Sequence, residues 1–190
     1  MTDQELVLDL INGSEIAFRR LVDLHHEKVI QTCYNFVRDN QDADDIAQDV
    51  FIEVHKSIHK FRKDAKLSTW LYRIAVNKSL NFIRSKKSRE RFKRFQDFFA
   101  SEKEIEFEDK QSISAQEYLE QDERKMILQN AINKLPESQK IAFTLNKYDE
   151  LSYNEVAEIM NISLSAVESL IFRGRKKLQV LLKSYYEKQM

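Results

Sequence analysis

Asn77, Asn81 and Arg84 stand at i, i+4 and i+7 of a stretch with helical periodicity, so one helix face presents two amides and a guanidinium. Amides hydrogen-bond base edges and a guanidinium holds phosphate, which gives that face the chemistry of nucleic-acid readout. The face runs into SKKSRERFKR at 85–94, where Lys86, Lys87, Arg89, Arg91, Lys93 and Arg94 supply sequence-independent, salt-sensitive attraction to a polyanion. More cations, Lys60, Arg62, Lys63 and Lys66, flank Phe61 just upstream. A second polar set lies near the carboxy end. On a helix beginning at Leu164, Val167, Leu170, Ile171 and Leu178 turn inward, which leaves Ser165, Glu168, Ser169, Phe172 and Arg173 on or near the outer face. The serine hydroxyls suit base edges or phosphates, Glu168 can accept from cytosine N4, and Arg173, Arg175 and Lys176 can hold phosphate.

Catalytic chemistry has little to work with. His55 and His59 at i, i+4 are the spacing of a helical metal pair, with His25 and His26 as further nitrogen donors, but no Cys pair or HExxH accompanies them, and no metal or cofactor is expected. The adjacent Asp44 and Asp45 fit helix-start charge better than an acid/base pair, and the chain has no glycine-rich phosphate loop. The chain reads as a non-enzyme.

Two glycines and one proline in 190 residues favour long helices over a turn-rich sheet protein. There is no apolar run long enough to span a bilayer and no signal-like amino terminus, so a soluble cytoplasmic protein without membrane insertion is expected. The lone cysteine, Cys33, sits in an apolar periodic run and reads as a small core residue. Formal charge is zero overall but segregated. Residues 1–54 carry 4 basic and 12 acidic groups, 55–94 carry 14 and 2, 95–123 carry 2 and 10, and 124–190 carry 11 and 7. A strongly basic block between acidic ones suits a protein that meets a polyanion with one face and something else with another.

The elements that must position these groups are all helical. A short helix at 2–11 is broken by Gly13-Ser14, and Ser14 caps a long amphipathic helix through Val37. Asp42 is expected to cap the next, whose buried stripe is Ile46, Ala47, Val50, Phe51, Val54 and Ile58. Ser68 or Thr69 opens a third, with Trp70, Leu71, Ile74, Ala75, Leu80, Phe82 and Ile83 apolar and Trp70 read as core. Periodicity then weakens into an acidic stretch. A helix at about 123–134 follows, then Pro136 at the first position of another ending near Lys147. The capping-box pattern Ser152-Tyr-Asn-Glu155 opens a short helix, Asn161-Ile162-Ser163 makes a turn, and a longer basic helix starts at Leu164: a helix-turn-helix. The expected fold is all-α, two small helical domains at 1–94 and 123–190 joined by a flexible acidic linker at 95–122.

The run SYNEVAEIMNISLSAVESLIFRGRKKL resembles region 4.2 of extracytoplasmic-function sigma factors. DADDIAQDVFIEVHKSIHKF followed by LSTWLYRIAVNKSLNFIRSKKSR resembles their regions 2.2 to 2.4. Both occur in family order and together cover most of the chain, a far more specific match than either alone. The resemblance implies a sigma factor that binds core RNA polymerase and directs promoter-specific initiation, with an anti-sigma factor as controlling partner and the nucleoid as its place of action. It implies that Asp45, Gln48, Asp49 and Ile52, which share a face at i, i+3, i+4 and i+7, dock the clamp helices of the polymerase's largest subunit. The flap of the second-largest subunit is the implied partner of the second domain. By the same resemblance Phe61, Lys63, Lys66, Asn77, Asn81 and Arg84 read the minus-10 element, the loop Phe61 to Leu67 capturing an unstacked base. Ser165, Glu168, Ser169, Arg173, Arg175 and Lys176 are then the minus-35 readers. The linker is implied to thread the RNA-exit region, its carboxylates imitating transcript charge, and its acidity also offers a way to dock the two domains without a partner. One departure stands out. Family members typically carry Lys-Ser-Arg where this chain has Glu168-Ser169-Leu170, exchanging two cations for an acid and an apolar residue.

A regulator that binds duplex DNA unaided through its helix-turn-helix would need a ligand or receiver domain, typically with a sheet, and residues 1–122 offer no alternating strands. An all-helical protein-interaction module leaves the basic block beside Asn77 and Asn81 unexplained.

Overall fold

The computed structural model describes residues 2–61, 66–100 and 116–186. The described residues form helices α1 (Asp3–Ile11), α2 (Glu15–Val37), α3 (Asn40–Ser57), α4 (Leu67–Ala100), α5 (Gln116–Asn133), α6 (Glu137–Lys147), α7 (Tyr153–Met160) and α8 (Leu164–Tyr186), with a 3-10 turn at Ile58–Lys60 after α3. No strand occurs among them, so the all-α class stands.

Local chemistry sets most of the boundaries. Thr2 and Glu5 close a capping box on α1, and Ser14 accepts from the Ala17 amide to start α2. Gly13, with φ of 78°, makes the bend between them in a region that disfavours side chains. Helix α2 ends on Arg38 in the left-handed region, and Asp39, not Asp42, caps α3: its Oδ1 accepts from the Asp42 amide at 2.9 Å. With only Arg38 and Asp39 between the two helices, the first carboxylate reaches the orphan amides. Asp42 instead lies in the first turn and accepts from Lys86 at 2.8 Å, pinning the start of α3 to α4. Pro136 is the cap preceding α6, one residue earlier in the helix frame than expected, and α4 begins at Leu67, just before Ser68.

Helices α1 to α4 wrap a first core around Leu21, Cys33, Val50, Val54, Leu71 and Ala75, with Trp70 half-buried at its edge. Cys33 is fully buried, as its apolar surroundings in sequence imply, and burial raises its thiol pKa to about 11, which makes it inert. Lys78 pairs with Glu53 at 3.1 Å to fasten α4 on α3. A second core joins Leu145, Val156, Ile159, Val167 and Ile171 of α6, α7 and α8 to Phe36, Val76 and Leu80 of α2 and α4. Phe36 and Leu80 therefore do not serve the first core, where their helical periodicity places them. They close the seam between the two halves of the chain. A smaller cluster of Ala131, Ile132, Leu135 and Leu178 seats α5 against α8.

Helix α4 continues to Ala100 and α5 begins at Gln116, so helix borders the acidic stretch on both sides. Lys, Arg and Glu with no Gly or Pro after Arg84 favour that continuation. Residues 101–115, with most of the linker carboxylates, and Arg62 and Lys63 of the upstream loop lie outside the described residues.

Leu21 is wholly buried whereas Leu24, one turn on, is 56% exposed. Leu21→Ala is expected to cost about 2–5 kcal/mol in chemical denaturation, and Leu24→Ala less than about 0.5 kcal/mol.

Candidate nucleic-acid interface

Two faces meet the requirements for contacting nucleic acid. On α4, burial of Leu71 and Ala75 against the first core and of Val76 and Leu80 against the second leaves Asn77, Asn81 and Arg84 exposed between them. Arg84 Nη1 donates to Asn81 Oδ1 at 3.2 Å, so amide and guanidinium form one unit. The guanidinium also pairs with Glu137 in the first turn of α6, through Nε at 3.3 Å and through Nη2. Asn77 opens into a cleft of about 610 Å³ with Lys60, Phe61, Trp70 and Arg73 on one wall and Ile141, Ile159 and Met160 on the other. The Phe61 and Trp70 rings lie 5.3 Å apart in tilted contact, an aromatic platform beside cations. Lys66 is exposed at the mouth of an adjoining cleft, and Lys63 is among the residues not described. Lys87, Arg89 and Arg91 are exposed along α4, while Lys86 is held by Asp42.

The second face is the outer side of α8. The Ser152–Glu155 capping box starts α7, and its hydrogen bond from Ser152 holds the Glu155 carboxyl below its ordinary pKa. Asn161 in the left-handed region ends it, and Ser163 Oγ accepts from the Ala166 amide at 3.2 Å to start α8. This three-residue connection holds α8 at the angle fixed by Val156, Val167 and Ile171, all buried. Ser165, Glu168, Ser169, Arg173, Arg175 and Lys176 are all exposed, and Phe172 stands 69% exposed among them. Leu170 is half-buried, so of the two departures from the family pattern only Glu168 reaches the outer face. A third surface, on α3, exposes Asp45, Gln48 and Asp49 around Ile52, itself 50% exposed. An isoleucine ringed by carboxylates is a protein-docking composition.

A group that the sequence reading passed over is Asp149, in the connection between α6 and α7. Its Oδ1 accepts from Thr32 at 2.8 Å and from Asn35 at 3.2 Å, both on α2, more than a hundred residues away in the chain. Burial pushes its carboxyl up to about 6, against the lowering effect of those two hydrogen bonds and of the Arg38 charge. Arg38 stacks over the Tyr148 ring at 4.3 Å. No periodicity or motif marks such a pair; the polar Thr32 and Asn35 inside an apolar helix stripe were the available signal. Lys140, buried beside the Lys87 and Arg38 charges, is lowered to about 8 mainly by desolvation, and donates to Asn133 at 2.7 Å. Among the described residues no cluster of His, Cys, Asp and Glu has the makings of a metal site; His55 instead makes an edge contact with Phe18.

Comparisons with known proteins agree with this geometry. Residues 21–89 match the family described as Sigma-70 region 2, and residues 125–178 match Sigma-70, region 4. The RNA polymerase sigma-H factor of Pseudomonas aeruginosa is 34% identical, over 95% of this chain and 96% of its own length. The ECF RNA polymerase sigma factor SigW of Bacillus subtilis is also 34% identical, over 90% and 91%. Among solved structures, CnrH in complex with the cytosolic domain of CnrY has the same fold at a TM-score of 0.66 and 24% identity, over 96% of this chain and 97% of that one.

The Asp149 carboxyl is raised from 3.8 to about 6, so the folded contact binds its proton more tightly than the free chain does. Its contribution to stability is therefore full at acid pH and falls away as pH rises through about 6, by an amount of order 2–3 kcal/mol. Asp149→Asn is expected to flatten this part of the stability–pH curve between pH 4 and 7, measured by denaturant titration at each pH.

Proposed function

We propose a division of work among the surfaces of this chain, which belongs to the extracytoplasmic-function branch of the sigma-70 family, with region 2 and region 4 architecture, a family of regulatory DNA-binding proteins rather than enzymes that directs promoter-specific initiation. The exposed α3 face of Asp45, Gln48, Asp49 and Ile52 docks the clamp helices of the largest polymerase subunit, and the 123–190 half engages the flap of the second-largest subunit. The α4 face of Asn77, Asn81 and Arg84, with Phe61, Lys63 and Lys66 of the preceding loop, reads the minus-10 element. The observation that carries this reading is that a helix buried on two sides keeps two amides and a guanidinium exposed beside an aromatic pair and a run of cations.

Minus-35 recognition belongs to Ser165, Glu168, Ser169, Arg173, Arg175 and Lys176 on α8, entering the major groove by its amino-terminal half. Glu168 selects a cytosine through N4 and, by its charge, penalises loosely held phosphate. The domain limits follow the same division: 1–94 for polymerase docking and minus-10 reading, 123–190 for minus-35 reading, with 95–122 as the connecting segment in the RNA-exit region. An anti-sigma factor is the proposed controlling partner; the sigma factor RpoE of Bartonella quintana, which shares this fold at a TM-score of 0.55, is solved in complex with the anti-sigma factor NepR. No described helix is long and apolar enough to cross a membrane, which fits the proposed place of action, the cytoplasm and its nucleoid.

Run-off transcription with purified core polymerase on genomic promoter fragments tests the assignment. Wild type is expected to initiate at discrete sites, Ile52→Asp to need roughly 10-fold more protein to saturate core, and Asn81→Ala to lose about 5- to 100-fold in initiation with core binding intact. Glu168→Lys is expected to change the preferred minus-35 base as well as the affinity. A uniform change across promoter variants overturns the cytosine contact, and failure of the wild type to associate with core overturns the docking assignment.

A further inference from the structure

Away from both reading faces, the bend between α1 and α2 leaves an open cleft of about 530 Å³ against the end of α3. Leu10, Phe18, Val22, Val54 and Ile58 form its walls, and Ile11 beside them is 40% exposed. Gly13 turns the chain here at a φ of 78°, and nothing lies within 4 Å of the place a side chain would take, so the bend leaves the cleft unfilled. Well-packed interiors hold few voids larger than a water molecule, and a mostly apolar hollow of this size falls in the range of small-molecule sites. The polar groups gather on its rim. Arg19, His55 and His59 are all exposed there, His55 near the end of α3 and His59 in the 3-10 turn that follows. The His55 ring meets Phe18 edge-on with centroids 5.2 Å apart, which joins rim to wall. Glu15 is the rim's acid, and it lies in the first turn of α2, where the amino end of a helix already favours a carboxylate.

Apolar walls under a guanidinium and two imidazoles suit a molecule with a hydrocarbon body and one anionic head. The body gains by leaving water, roughly 4-fold in affinity for each methylene buried. A carboxylate can take two N–H groups of one guanidinium at once, which a neutral head cannot match. A metal ion does not fit, because among the described residues no cluster of His, Cys, Asp and Glu could hold one. We propose that this cleft binds an apolar monocarboxylate of the medium-chain fatty acid class. Its chain lies along Phe18, Val22, Val54 and Ile58, and its carboxylate sits on Arg19 with His55 and His59 as further donors. The histidine spacing that resembles a metal pair in the sequence thus has another use, setting two donors one turn apart at the rim. None of the residues lining the cleft belongs to α4 or α8, so the site stands apart from the reading of DNA.

Titration of the full-length protein with octanoate, below its micelle concentration, tests the site by calorimetry and by nuclear magnetic resonance. Octanoate is expected to bind with a dissociation constant of order 0.1–1 mM, and 1-octanol roughly 10-fold more weakly. Octylammonium, which brings a cation to a cationic rim, is expected to bind more weakly still. Butyrate, four methylenes shorter, should fall below detection. Nuclear Overhauser contacts from the octanoate chain should reach the methyls of Val22, Val54 and Ile58. Arg19→Gln, an exposed change on the rim, is expected to weaken octanoate about 10-fold and to leave 1-octanol unchanged. Arg20→Gln, at the neighbouring exposed cation outside the cleft, should change neither. No binding at millimolar octanoate overturns the proposal and leaves the cleft as a seat for an apolar side chain of a protein partner. Equal affinity for the acid, the alcohol and the amine also overturns it, as does an Arg19→Gln variant that behaves like Arg20→Gln.

Discussion

Helix α4 has to serve two cores at once, and the rest of the structure follows from how it does so. Leu71 and Ala75 point into the α1–α4 core, and Val76 and Leu80 into the core shared with α6 and α7. Two buried faces on one helix leave a narrow strip for polar groups, and Asn77, Asn81 and Arg84 occupy it. A recognition surface built on a helix clamped from two sides has few rotamers to lose and a fixed register, which is the condition for reading bases by hydrogen bonds rather than merely attracting phosphate.

Charge organises what packing positions. The basic block at 55–94 meets acidic neighbours within the protein before it meets DNA: Lys78 with Glu53, Lys86 with Asp42, Arg84 with Glu137. Exposed pairs of this kind contribute little to stability, at most about 1 kcal/mol each, so they yield readily to a competing polyanion. Their value lies in register, since Asp42 and Glu53 at the two ends of α3 and Glu137 on α6 together fix where along α4 its partners rest. The apolar seam under them is the stronger element, and Asp149 is the point where a single carboxyl joins it to α2.

Much of this was legible in the residues. The Ser14 cap, the Ser152–Glu155 capping box, the Asn161–Ser163 turn and the inward set Val167, Ile171 and Leu178 are local features with strong chemical signatures, and each stands where its pattern places it. Outward placement of Asp45, Gln48, Asp49, Ile52 and of the α8 polar set follows from helical periodicity alone. The start of α3 was misplaced because Asp39 and Asp42 are equally good caps in isolation, and the left-handed Arg38 that decides between them leaves no mark in sequence. The seam was hidden for a different reason. Phe36 and Leu80 have the periodicity of core residues whichever core they join, and the pairing of Thr32 and Asn35 with Asp149 depends on a docking that spans over a hundred residues. Periodicity tells which side of a helix is buried and is silent on what buries it.

The central claim is that the α4 strip of Asn77, Asn81 and Arg84 meets promoter DNA in the complex with core polymerase. Hydroxyl-radical footprinting of Trp70, which lines the same cleft as Asn77, tests this in that complex before and after promoter is added. The account predicts protection of Trp70 when promoter DNA is added, and unchanged Trp70 reactivity would contradict it.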